Sequence, residues 1–148
     1  MITATQVSSE NAAYIDYQKE YFDQSETLGK KSAYNELYAF WQECQFPDWD
    51  GYNAFAVQEK TLFNARWFIE SLPLGCSLPS IGAEPDGHLT LEWYSCPNWT
   101  LSVSISPERI LYYAALLGER DERGVEHFWA DVPQSILRLI REIERAKG

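Results

Sequence analysis

Two carboxylates, Asp48 and Asp50, stand two residues apart in the stretch PDWDGYNA, with Trp49 between them and Gly51 and Tyr52 after. Alternating acids open a calcium loop, which continues with further oxygen donors, a glycine at position six and a closing glutamate at position twelve. Counted from Asp48, Glu59 does fall at twelve, but Tyr52 occupies position five and Asn53 position six, and Gly51 comes too early at four. The spacing argues against calcium. The same acids could serve as an acid/base pair or hold a divalent cation for hydrolysis, with Glu92 as a more distant third carboxylate. No third catalytic group lies close by in sequence. The favoured reading of the turn itself is structural. Short Asp side chains accept backbone N–H groups in turns, and Trp49 and Tyr52 are expected to pack on the core. Recognition is the next use, because Trp and Tyr are frequent interface anchors.

Other constellations are weaker. His88 and His127 are the only histidines, and with Cys44, Cys76 and Cys96 they lack the paired spacing of a zinc site. A Ser–His–acid set can be drawn from His88, Ser102 or Ser104, and Glu92. No Gly-x-Ser-x-Gly elbow supports it, and no phosphate-binding Walker loop occurs. The expectation is therefore no catalytic residue, no metal and no cofactor. The residues expected to meet a partner are Asp48, Trp49, Asp50 and Tyr52.

Composition narrows the partner. The 148 residues carry a formal net charge of −10, which repels a phosphate backbone or an anionic membrane and suits a basic protein surface. No stretch approaches the ~18 apolar residues of a membrane span, and the start, MITATQVSSENAAY, has no basic region leading an apolar run. Three widely spaced cysteines read as free thiols in a reducing cytoplasm.

The elements that must position these groups follow from periodicity. Residues 1–8 read as a loose arm, and a single α+β domain is expected over 9–148, with a helical extension over 9–45. Ser8 or Ser9 can cap a first helix bearing Tyr14, Ile15, Tyr17, Tyr21 and Phe22. A second helix is predicted over Ala33–Cys44, with Tyr34, Leu37, Tyr38 and Trp41 on one face. A third is predicted over Val57–Ser71, with Leu62, Ala65, Ile69 and Leu72 as its stripe and Phe63 and Phe68 widening it. From Ser80 the period falls to two. HLTLEWY places Leu89, Leu91 and Trp93 on one face, and NWTLSVSIS places Trp99, Leu101, Val103 and Ile105 likewise. Matching those faces across a hairpin requires paired numbers with an even sum. A three-residue loop, Cys96-Pro97-Asn98, then pairs Trp93 with Leu101, Leu91 with Val103 and Glu92 with Ser102. EPDGH reads as a turn around Pro85 and Gly87, and SPER as a four-residue loop. ILYYAALL reads as a strand apolar on both faces, GERDERG as a charged loop and VEHFWA as a short last strand. Asp131 can cap a final helix with Pro133 in its first turn and Gln134 as capping-box partner. Its apolar stripe is Ile136, Leu137, Ile140 and Ile143. The fold class is thus α+β: N-terminal helices, an antiparallel meander of four or five strands, and a C-terminal helix packed on one sheet face.

WDGYNAFAV before a helix, and PDGHLTLEW followed by LSVSI, resemble an uncharacterised family of small bacterial proteins. In that family a Trp-Asp-Gly-Tyr-x-Ala turn precedes a helix ending in Leu-Pro. A Pro-Asp-Gly hairpin with Leu-Glu-Trp and a final Pro-x-x-Ile/Leu-Leu helix follow. The corresponding residues here are Trp49–Ala54, Leu72-Pro73, Pro85–Trp93 and Pro133–Leu137. The resemblance spans roughly 46–143 and implies the element order, with no activity or partner attached. The functional expectation is a non-enzymatic acidic protein-binding module, of inhibitor or antitoxin type, that masks a basic partner. The alternative is a small divalent-metal hydrolase or nuclease using Asp48 and Asp50.

Overall fold

A computed structural model describes residues 29–146. The sheet and the helices that cover it belong to the unit that begins at Ser32. The arm expected over 1–8 and the first helix with Tyr14 to Phe22 lie outside the described residues. Helices α1 (Lys31–Cys44) and α2 (Glu59–Glu70) precede strands β1 (Ser80–Ala83), β2 (Leu89–Cys96), β3 (Trp99–Ile105), β4 (Ile110–Leu117) and β5 (Arg120–His127), and α3 (Gln134–Arg145) follows. The strands form one antiparallel sheet in chain order, the meander expected from the period-two pattern. Among the described residues no helix is long and apolar enough to cross a membrane.

Alternation decides which sheet face is covered. Leu89, Leu91 and Trp93 on β2, Leu101, Val103 and Ile105 on β3, and Leu111, Ala115 and Leu117 on β4 are all buried. Their register is Leu91 to Val103 and Trp93 to Leu101, with Glu92 opposite Ser102, as the parity argument requires. The loop differs. Cys96 pairs with Trp99 across a two-residue turn, and the irregularity between Tyr94 and Cys96 restores the parity that a third loop residue was expected to supply. An extra residue in one strand does this because it shifts every later side chain by one position. Asn98 tolerates the left-handed conformation the tight turn needs (φ 68°).

Helices α2 and α3 cover the apolar face. Ile136, Leu137, Leu139, Ile140 and Ile143 of α3 are buried, as are Leu62, Ala65, Phe68 and Ile69 of α2. Phe68 meets Trp93 and Phe128, at ring centroids 6.3 and 5.6 Å apart. Each such aliphatic or aromatic side chain contributes about 1.5–3 kcal/mol by leaving water. Sequence periodicity overcounts the stripes: Phe63 and Tyr38 are exposed. It also misses Asn64, which is buried on α2 because its amide donates to the carbonyls of Ser106 (3.0 Å) and Pro107 (3.3 Å). The start of α2 is later than predicted, since the Val57 backbone bonds Cys44 O and Trp41 Nε1, both at 2.9 Å, and Gln58 is extended (ψ 155°). Asp131 does not cap α3. Its first turn starts from the Pro133 carbonyl, which accepts the Ile136 and Leu137 amides (3.1 and 3.0 Å), so Asp131 lies too far upstream.

The largest correction is at β5. Residues 120–124, expected in a charged loop, are strand, and the connection from β4 is only Gly118-Glu119. Their charges face the helix-covered side at alternate positions. Arg138 of α3 reaches Glu122 at 2.7 Å and Glu142 at 2.8 Å, and Arg120 reaches Glu142 at 2.6 Å and Glu122 at 3.3 Å. Gly124, on the same side, is crossed by Tyr113: a Cβ there would lie 2.5 Å from the phenol oxygen.

The Arg138 hydrogen bond, above all other causes, holds the Glu122 carboxyl below its ordinary value. A depressed carboxyl stabilises the fold above its unfolded pKa, and the contribution disappears as pH falls through the folded one. Arg138→Gln is therefore expected to cost about 0.5–1 kcal/mol at neutral pH, given the exposure of the pair. Urea unfolding should show wild type and variant converging as pH drops below ~4.3, the ordinary Glu value.

Candidate functional site

The Trp-Asp-Gly-Tyr turn is built by its own side chains. Asp48 takes a left-handed conformation (φ 63°), donates its amide to Ala54 O at 2.8 Å, and accepts the Gly51 amide on its carbonyl at 3.1 Å. Its carboxylate Oδ1 accepts the Asn53 amide at 2.7 Å. Asp50 Oδ1 accepts the amides of Tyr52 (2.8 Å) and Ala54 (3.1 Å). Asn53 and Gly51 are also left-handed, at φ 65° and 79°. Each such residue reverses the chain sharply and leaves amides pointing inward, which is why two short acids are needed to receive them.

The turn is then braced from three sides. Trp49 Nε1 donates to Phe55 O at 2.9 Å, and its half-buried ring packs against the core. Phe55 donates its amide to Pro85 O at 2.8 Å, which ties the segment to the β1–β2 turn. Val57 is tied to the end of α1 as described above. Gly87 makes the second contact possible. Its φ is 92°, and a Cβ there would meet Ala56 O at 3.0 Å.

Trp49 thus packs as its sequence suggested, whereas Tyr52 does not. Its side chain is 86% exposed, because Asp50 pulls the Tyr52 amide inward and the side chain points away. Phe46 (67%) and Phe55 (69%), in the same segment, are also exposed. Neither is among the residues the sequence marks for a partner. No periodic signal marked them: over 54–57 Ala54 and Val57, three residues apart, are buried and Phe55 faces out, a pattern of neither strand nor helix.

The other candidates group differently. His88 Nδ1 lies 3.0 Å from Ser104 Oγ and 3.6 Å from Asp86 Oδ2, and its ring stacks on Tyr112 at 5.8 Å. Serine and acid share one ring nitrogen, whereas a nucleophilic triad needs them on opposite nitrogens. Glu92 and Ser102 meet at 3.4 Å on the same open sheet face. His127 stacks on Trp129. Burial first, then the charge of Glu43, raises the Cys44 thiol, which keeps it protonated and a poor nucleophile or ligand. Among the described residues no group of three or more His, Cys, Asp or Glu could hold a metal ion. Comparison with protein-family models, curated proteins and solved structures found no match.

Asp50→Ala removes the acceptor of two amides and is expected to destabilise the chain by about 1–2 kcal/mol. Asp50→Asn keeps an acceptor oxygen and should lose less than half of that. Chemical denaturation of the three proteins checks the order.

Proposed function

We propose that the chain is a non-enzymatic, acidic protein-binding module, of inhibitor or antitoxin type, that masks a basic surface on a protein partner. The observation that carries this reading is the exposure of Phe46, Tyr52 and Phe55 on a backbone held by the hydrogen bonds of Asp48, Asp50 and Trp49. Aromatic anchors on a fixed loop lose little conformational freedom when a partner covers them, so more of their burial appears as affinity. Tyr52 is the contact residue of the expected set. Trp49 and the two aspartates hold it in place, and the aspartates add negative charge beside it.

The formal charge of −10 supports the choice of a basic partner. Complementary charge speeds encounter and makes it salt-sensitive. It disfavours nucleic acid and anionic membranes for the same reason. The reading places the module in the cytoplasm, where its thiols stay reduced. No specific observation favours the alternative, a divalent-metal hydrolase or nuclease on Asp48, Asp50 and Glu92. The first two carboxylates each accept turn amides, and Glu92 contacts Ser102 on the open sheet face.

Immobilised protein exposed to extract of its source cells tests the reading. It should retain a basic protein at low salt and release it as ionic strength rises. The Phe46→Ala/Tyr52→Ala variant should lose at least about tenfold in affinity with its unfolding transition unchanged. Absence of any retained protein at low salt, or equal retention by the variant, would count against the proposal.

A further inference from the structure

We propose that the cleft beside the turn seats an arginine side chain of the partner; the inference rests on the proposed function and names the chemistry of its anchor. The cleft encloses about 440 Å³ where the stretch after the turn, the β1–β2 turn and the β3–β4 loop converge. Phe55, Gln58, Asp86, Gly87, His88 and Glu108 line it. Its walls are fixed. The Phe55 amide bonds Pro85 O, and the bare Cα of Gly87 lets the hairpin turn close on Ala56 O. Ser106 Oγ accepts the Glu108 and Ile110 amides at 3.2 and 3.0 Å, which sets the loop carrying Glu108.

Three groups then face one space. The exposed ring of Phe55 offers a π surface. Asp86 is oriented by His88, whose amide donates to Oδ1 at 3.0 Å and whose Nδ1 lies 3.6 Å from Oδ2, which leaves the outer edge of the carboxylate toward the cleft. Glu108 is exposed, and among the described residues no ion pair engages its carboxylate. No lysine or arginine lines the cleft. An anion is repelled here, and an apolar side chain would strip water from two carboxylates without replacing it. A guanidinium satisfies all three groups at once. Its plane stacks on an aromatic ring, and its fork of N–H donors can bond carboxylates at its edges. An ammonium ion has the charge without the plane.

The test uses the ¹⁵N-labelled full chain and N-acetyl-arginine amide as probe, with the lysine and citrulline amides as comparators. Arginine amide should shift the Phe55, Gly87 and Glu108 amide resonances saturably, lysine amide more weakly, and neutral citrulline amide not at all. Glu108→Gln should weaken arginine amide at least about threefold while leaving the unfolding transition in place. Absence of saturable shifts, equal shifts from citrulline, or an unchanged affinity in Glu108→Gln overturns the inference. Salt-sensitive, Tyr52-dependent capture of a basic protein alongside such a negative result would sink the cleft and spare the masking function. Loss of that capture with cleft binding intact would sink the masking function instead.

Discussion

The burial of one sheet face beneath two helices is the constraint on which every other feature depends. Leu91, Trp93, Leu101 and Val103 sit at alternating positions on neighbouring strands, so the pleat gathers them on one side. That side must be covered, and α2 and α3 cover it with Phe68, Ile69, Ile136 and Ile140. A slip of one residue in the β2–β3 register would turn the whole set toward water. The irregularity before Cys96 matters for this reason: it reconciles a two-residue turn with the pairing that burial demands.

The candidate site hangs from this frame at one end of the sheet. There the segment after α1 is tied to the β1–β2 turn by the Phe55 amide to Pro85 O, and the β3–β4 loop is tied to α2 by the Asn64 side chain to Ser106 O. The aromatic residues are thus held by the side-chain bonds of Asp48, Asp50 and Trp49 and by main-chain bonds to the β1–β2 turn and the end of α1. At the opposite flank, Arg120 and Arg138 bind Glu122 and Glu142 between β5 and α3. An edge strand that points charges toward its covering helix also discourages pairing with another chain. The chain's acidity is therefore unevenly used. Glu122 and Glu142 are tied to arginines, whereas Glu108 faces solvent beside the turn.

Much of this was legible from residue order. Period-two burial predicted β2 and β3, their mutual register and the need for covering helices, because alternation of Leu, Val and Trp with Ser and Thr has few other solutions. Gly87 and Pro85 marked their turn for equally local reasons. What failed was information that lives in tertiary contacts. Arg120–Gly124 reads as loop because its charges find partners only on α3. Asn64 reads as polar surface because its acceptors lie more than forty residues away. Tyr52 reads as core because aromatic residues next to a tight turn usually pack. Its exposure follows from which amides Asp50 captures, and a list of residue types does not show that. That Asp48 or Asp50 would accept turn amides was legible, and so was the packing of Trp49; that both accept was not. The exposed pair Phe46 and Phe55 was not, since an apolar residue gives no sign of its face outside a regular element.

Native-state hydrogen exchange tests the central claim most directly. The amides of Leu101 and Val103, on the middle strand, and of Leu139 and Ile140, in the covering helix, should exchange together. Their rates should correspond to global unfolding, with the same denaturant dependence. Exchange of the α3 amides at a much lower free energy, with β3 still protected, would contradict it, because the sheet would then hold without its cover.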